Sequence, residues 1–201
     1  MPKFLIKSNG WSNSATTLSQ GIVGSQSIIF NQRFASIKSA LIVACNGTNA
    51  TQKSFDFMDI TNGGTYQISI GGVCFPQLQL NAGTNRSAII QELRKSQGSL
   101  YDTKNSMSIN TVEFSQTDAL VTGTATLPAQ PGKFIVGIDT TKLGCGSTKN
   151  LLNGVSSQSS PISVLLNIAT ATGAARNLNL VLNYDALIEI DPAVSMVSVK
   201  V

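Results

Sequence analysis

The clearest hydrophobic pattern in the chain is helical, and it lies between Asn85 and Gly98. Ile89 and Leu93 fall four residues apart, with Ala88 and Ile90 beside them, so one face of a helix carries the apolar side chains. Asn85 or Ser87 offers a short side-chain oxygen to the orphan N–H groups of the first turn. Arg94 and Lys95 stand near the end where the helix dipole favours cations, and Gly98 suits a left-handed cap. The pattern predicts one short helix over about Ser87–Gln97.

The rest of the chain reads as strands and polar loops. Strands are expected at Gln26–Phe34, Ile37–Cys45, Thr65–Phe75, Ser106–Phe114, Asp118–Thr126, Lys133–Asp139, Pro161–Thr170, Asn177–Tyr184 and Ala186–Ile190. The Gly71–Gly72 pair suggests a bulge or bend within Thr65–Phe75, and Pro76 ends that strand. Ala193–Val201 reads as a last extended piece with Val194, Met196 and Val199 facing in. Met1–Lys7 is an edge strand or a linker. Ser8–Ser25 is so rich in Ser, Thr, Asn and Gly that it reads as a loop or arm. Trp11, the sole tryptophan, anchors that arm on the domain or on a neighbouring subunit. The division is therefore an N-terminal arm or linker at 1–25 and one folded domain at 26–201.

Parallel sheets need crossover helices, and these are absent, so the sheets are antiparallel. Irregular connections of ten to twenty residues favour a Greek-key or jelly-roll sandwich over an up-and-down barrel. The fold class is all-β: an antiparallel jelly-roll sandwich of about eight strands with one short helix in a loop.

Composition narrows the function. Charged residues make up only 12% of the 201, so little charge keeps copies of the chain apart. The net charge of +4 is scattered, with no basic run or aromatic-studded stripe, so no specific nucleic-acid partner is expected. No apolar stretch is long enough to span a bilayer, and no signal peptide is evident at Met1–Lys7. Histidine is absent altogether, which removes the commonest general acid–base. Paired carboxylates could replace it. Asp56 with Asp59, however, flanks a turn and suits loop capping. Asp185, Glu189 and Asp191 precede Pro192 and suit a turn or surface role. Cys45, Cys74 and Cys145 are widely spaced and read as small buried hydrophobes with free thiols in a reducing compartment, with one disulfide plus a free thiol as the alternative. No loop matches a calcium, zinc or phosphate site. The sequons at Asn46, Asn49 and Asn85 are expected by chance in so Asn-, Ser- and Thr-rich a chain. No catalytic, metal or cofactor residues are expected, and the chain is not read as an enzyme.

Five stretches in order carry a resemblance: Ser36–Val43 (SIKSALIV), Gly63–Gln77 (GGTYQISIGGVCFPQ), Ser87–Ile109, Pro131–Asp139 (PGKFIVGID) and Asn177–Asp191 (NLNLVLNYDALIEID). Together they resemble the double jelly-roll major capsid proteins of eukaryotic DNA viruses, with the flavour of virophages and polinton-like viruses in the adenovirus-hexon lineage. The likeness spans about Phe30 to Asp191. Such proteins carry two jelly rolls and this chain has room for one, which looks like the C-terminal roll. It is either part of a double roll or a single-roll relative.

The resemblance implies a structural protein that builds an icosahedral shell through trimeric, pseudo-hexameric capsomers. The implied partners are other capsid subunits and penton or minor capsid proteins. The implied location is the virion, assembled in the host cytoplasm or nucleus. The alternative is a carbohydrate-binding or adhesive jelly roll, which would present surface aromatics or a calcium cage.

Overall fold

Alternation of apolar and polar residues builds most of the strands, and a computed structural model shows how they stack. It describes residues 3–46, 57–98, 109, 114, 132–141, 152–191 and 196–200. In chain order these form β1 (Phe4–Leu18), β2 (Gly24–Phe30), β3 (Ile37–Asn46), β4 (Thr65–Ile70), β5 (Val73–Asn81), α1 (Arg86–Ser96), β6 (Ile135–Asp139), β7 (Ile162–Ile168), β8 (Arg176–Asp191) and β9 (Met196–Lys200). One sheet runs β1-β8-β3-β6, with β9 also paired to β8; the other runs β2-β7-β4-β5. All described pairings between these strands are antiparallel. Apart from the β4–β5 and β8–β9 pairs, which each stay within one sheet, sequential strands alternate between the sheets in the order of a jelly roll. The fold is the all-β jelly-roll sandwich expected from the sequence.

The core lies between the inner faces. Leu178, Leu180 and Leu182 of β8, with Ala40 and Ile42 of β3, meet Ile68, Ile70, Ile162, Val164 and Leu166 of the other sheet; all are buried. The helix forms as expected. Asn85 caps it by accepting from the Ala88 N–H at 3.1 Å, and Ile89 and Leu93 are its buried residues. It packs close over β6, where a Cβ on Gly137 would lie 2.8 Å from the Leu93 Cα. Only glycine admits so near an approach of helix and strand.

Several expectations need correction. Ser8–Ser25 is not an arm: most of it is β1, hydrogen-bonded to β8 from Phe4 to Leu18, so the boundary drawn at residue 25 falls inside the sandwich. Thr65–Phe75 is not one strand but parts of two, joined at Gly71 and Gly72 with φ of +61° and +82°. Two consecutive positive φ values are what a tight hairpin turn requires. Pro76 does not end a strand; it lies within β5, which is at the sheet edge and irregular in register, the two places that tolerate proline. Asn177–Tyr184 and Ala186–Ile190 are one continuous strand, β8. β2 ends at Phe30 rather than Phe34.

Of Ser106–Phe114, only Ile109 and Phe114 are described, and neither is in a strand. Phe114 is helical and buried, with its ring 5.1 Å from that of Phe134. Asp118–Thr126 lies outside the described residues.

Candidate assembly surface

The two sheets are of unequal length, and this creates the main surface feature. β1 and β8 run for 15 and 16 residues, whereas the strands of the opposing sheet have 6 to 9. At about 3.3 Å per residue, β8 extends roughly 50 Å, about twice the length of β7. The strands of the shorter sheet can therefore face only part of the long ribbon.

The register shows which residues share a face. Phe4 lies opposite Ile190, and Ile6 opposite Ile188. On the other edge of β8, Val197 lies opposite Ile190 and Val199 opposite Ile188. Directly paired residues project to the same side of a sheet. Phe4, Ile6, Ile188, Ile190, Val197 and Val199 thus form one apolar face on a three-stranded blade. Leu178, Leu180 and Leu182 occupy alternate positions of β8 in phase with Ile188 and Ile190, so this face continues the inner, core-lining face. Phe4, Ile6, Val197 and Val199 are each at least half exposed. Val199, expected to face in, is exposed; Val194 lies outside the described residues.

The opposite face of the blade is mixed: it carries Leu5, which is half exposed, and Leu187 beside charged groups. Lys3 bonds Glu189 at 2.8 Å and pairs with Asp191 at 3.2 Å. Its hydrogen bonds to Glu189 and then Asp191 raise the ammonium pKa above the ordinary lysine value. The blade thus has a salt bridge on its outer side and, on its inner side, an apolar face whose β1 and β9 members are at least half exposed while Ile188 and Ile190 are partly buried.

Of the candidate carboxylates, Glu189 and Asp191 meet on Lys3, while Asp59 and Asp185 are each held in a separate network. Asp59 is buried and accepts from the Thr61 N–H, the Thr61 hydroxyl, the Gly63 N–H and the Tyr66 hydroxyl, at 2.6 to 2.9 Å. It knots the turn before β4, the loop-capping role expected of it; Asp56 lies outside the described residues. Burial and the neighbouring Asp59 push the Tyr66 hydroxyl pKa well above its ordinary value.

Asp185 departs from expectation. It is buried within β8, not at a turn. It accepts from the Ser36 hydroxyl at 2.7 Å and the Asn153 N–H at 3.3 Å, while Lys7 and Lys38 approach at 3.2 and 3.8 Å. These bonds pin residues 153–154 against the start of β3, where the Gly154 N–H also donates to Ser36 Oγ at 2.8 Å.

Cys45 and Cys74 are free thiols, and Cys145 lies outside the described residues. Asn85 is occupied as the helix cap; Asn49 lies outside the described residues. Trp11 stands exposed on the outer face of β1, not as the anchor of an arm. Among the described residues, no helix is long and apolar enough to cross a membrane.

No family model matches this chain, and no curated protein matches its sequence. Among solved structures it is similar to a chain of the PBCV-1 virus capsid, with a TM-score of 0.50 and 10% identity. The match covers 98% of this chain and 51% of that one, so this chain spans about half the length of the capsid chain. At this identity the likeness is one of fold: the chain has the jelly-roll architecture found in a viral capsid.

Proposed function

We propose that this is a structural capsid protein rather than an enzyme: a major capsid protein, or its C-terminal jelly roll. On this reading it builds an icosahedral shell through trimeric, pseudo-hexameric capsomers, and its place is the virion. Its partners are other capsid subunits, with penton or minor capsid proteins at special positions. The motif order supports the virophage and polinton-like lineage, and assembly takes place in the host cytoplasm or nucleus.

The observation that carries the reading is the uncovered apolar blade. A shell protein must offer neighbours complementary surfaces disposed about a symmetry axis. Phe4, Ile6, Val197 and Val199 extend a core face into solvent, where a neighbouring roll would complete it. Full burial of such a side chain contributes about 1.5–3 kcal/mol, so covering four half-exposed ones contributes roughly 3–6 kcal/mol. Association costs about 4–15 kcal/mol in lost freedom. The blade alone therefore suits weak pairing that becomes firm only when each subunit closes a ring. The match to half of a capsid chain agrees with a missing sister roll.

Light scattering tests this on the chain alone and on the chain co-expressed with the coding sequence upstream of it. The isolated chain should be monomeric or weakly associated, and trimers should form when the other half is supplied. Ile6→Lys should abolish the trimer and leave the thermal midpoint of the isolated chain unchanged. Stable five- or six-membered rings of the isolated chain would instead mean a complete single-roll capsid protein. Failure to assemble in either setting would sink the capsid reading.

A further inference from the structure

The outer face of the long sheet carries a second feature, unrelated to the blade. A cleft of about 410 Å³ opens between the sheet and the C-terminal end of α1. Small-molecule pockets fall in the range of roughly 300–1,000 Å³. Its floor is a single row of side chains across four neighbouring strands. Trp11 of β1 lies opposite Asn183 of β8, Asn183 opposite Ser39 of β3, and Ser39 opposite Asp139 of β6. Three strand spacings make this row about 14 Å long. The end of the helix, from Lys95 to Gly98, forms the far wall.

The polar groups of this row are short of partners. Ser39 is 4% exposed and Asn183 9% exposed; neither side chain makes a hydrogen bond among the described residues, and neither leaves a polar atom sealed from solvent, so their donors and acceptors open onto the cleft. Polar atoms that reach a cleft without a protein partner can bond a ligand in place of water. Asp139 accepts from the Thr141 N–H and hydroxyl through Oδ1 alone, at 2.9 and 2.7 Å, which leaves Oδ2 to the cleft. The cations at the rim are already engaged: Lys38 donates to Asn9 Oδ1 at 3.1 Å and approaches Asp185, and Lys95 pairs with Glu92.

We infer that this cleft is a binding site for a neutral carbohydrate. The engaged lysines leave no strong field for an anion. Among the described residues lining the cleft, Trp11 is the sole aromatic group and none is aliphatic, so they frame no apolar hole for a peptide side chain. What remains is a half-exposed indole at one end and an amide, a hydroxyl and a carboxylate oxygen in line with it. A sugar ring fits that set: its C–H face packs on the indole, and its hydroxyls donate to Asp139 and both donate to and accept from Asn183 and Ser39. The inference stands independently of the capsid proposal, since it uses neither the blade nor any assembly.

Trp11 is the only tryptophan, so its fluorescence reports the cleft directly. The purified full chain is titrated with glucose, galactose, mannose, N-acetylglucosamine and their disaccharides, and each apparent binder is checked by calorimetry. At least one should give a saturable change. Asn183→Leu should weaken it at least tenfold, the loss expected for about 1.4 kcal/mol of buried hydrogen bonding.

A second measurement separates binding from folding. If the Asn183 amide awaits a ligand, Asn183→Leu should keep the thermal midpoint, because no hydrogen bond within the protein is lost. A lowered midpoint would make the amide structural and overturn the inference. So would the absence of saturable binding by any sugar of the panel.

Discussion

Two stretches of the same ribbon differ in one respect only. From Leu178 to Leu182, β8 presents leucines to a second sheet and buries them completely. From Ile188 to Ile190 the same alternation continues, between β1 on one side and β9 on the other, but among the described residues neither isoleucine packs into the core between the sheets. Strand propensity and face pattern are alike in both stretches. What differs is the layer above, and a strand pattern records only that a face is meant to be covered, not by which chain. An apolar face continued past its own cover marks where another molecule is expected.

The largest effect should come from truncating both halves in parallel. Leu180→Ala opens a cavity in the packed core and should destabilise the chain by about 2–5 kcal/mol. Ile188→Ala, on the half-covered stretch, should cost less than about 1 kcal/mol in the isolated chain. Denaturant midpoints at unchanged m-value measure both. Equal losses would mean that the blade is already sealed, and would remove the contrast between the stretches.

How much of this was legible in the sequence depends on which side chains carried the signal. The helix was readable because Ile89, Leu93 and their cap sit in a polar neighbourhood. β3 was readable from its run of apolar residues. β1 was hidden because both of its faces carry Ser, Asn and Thr: Ser12, Ser14 and Thr16 face in, while Asn9, Asn13 and Thr17 face out. From Ser8 to Thr17 the one large apolar side chain is Trp11, on the outer face, so a period of two is invisible there. β8 was broken in two at Asp185 because a carboxylate in mid-strand looks like a terminus. Its partners Ser36, Lys7 and Lys38 lie far off in sequence, and only the fold brings them near.

The blade's apolar residues were visible one by one, but the pairing of residues 4–6 with 188–190 and 197–199 is a tertiary fact. The row from Trp11 to Asp139 was equally out of reach, since it draws one residue from each of four strands. The lone Trp11 in a polar stretch was its only local sign.

Alkaline titration sharpens the contrast at an intermediate scale. Tyr66 is fully buried on Asp59, and its pKa is raised, so the folded state keeps a proton that the unfolded chain releases near pH 10. Its contribution is complete below that pH and declines as the pH rises toward the folded value. Wild-type protein should thus lose stability above about pH 10, and Tyr66→Phe should flatten that limb. Lys3, also raised, loses its pairing with Glu189 in the same direction as the pH climbs. It lies on the fully exposed side of the blade, where water and salt screen the pair, so Lys3→Ala should leave the alkaline limb nearly unchanged. A flattened limb in Lys3→Ala would show that the blade, not the interior, limits folding at high pH.

The smallest change in stability should come from the double substitution Val197→Ser, Val199→Ser. Both valines project from β9 and are more than 60% exposed, so little apolar area leaves the folded interior when they are replaced. The β9 ladder to β8 depends on backbone groups and should survive, since serine retains the N–H and C=O that valine supplied. The denaturant midpoint should shift by no more than about 0.5 kcal/mol equivalent. The surface, however, changes character. Two of the six apolar side chains on the blade become polar, and their burial under a neighbour would then have to desolvate hydroxyls with no assured partner. Any self-association of the wild-type chain that depends on this face should therefore weaken, and it should do so at both low and high salt, because the loss is apolar rather than ionic. Sedimentation velocity over a concentration series reads this directly. If the double variant associates as strongly as the wild type, the blade is not the contact between copies, and its apolar face must be assigned to another partner.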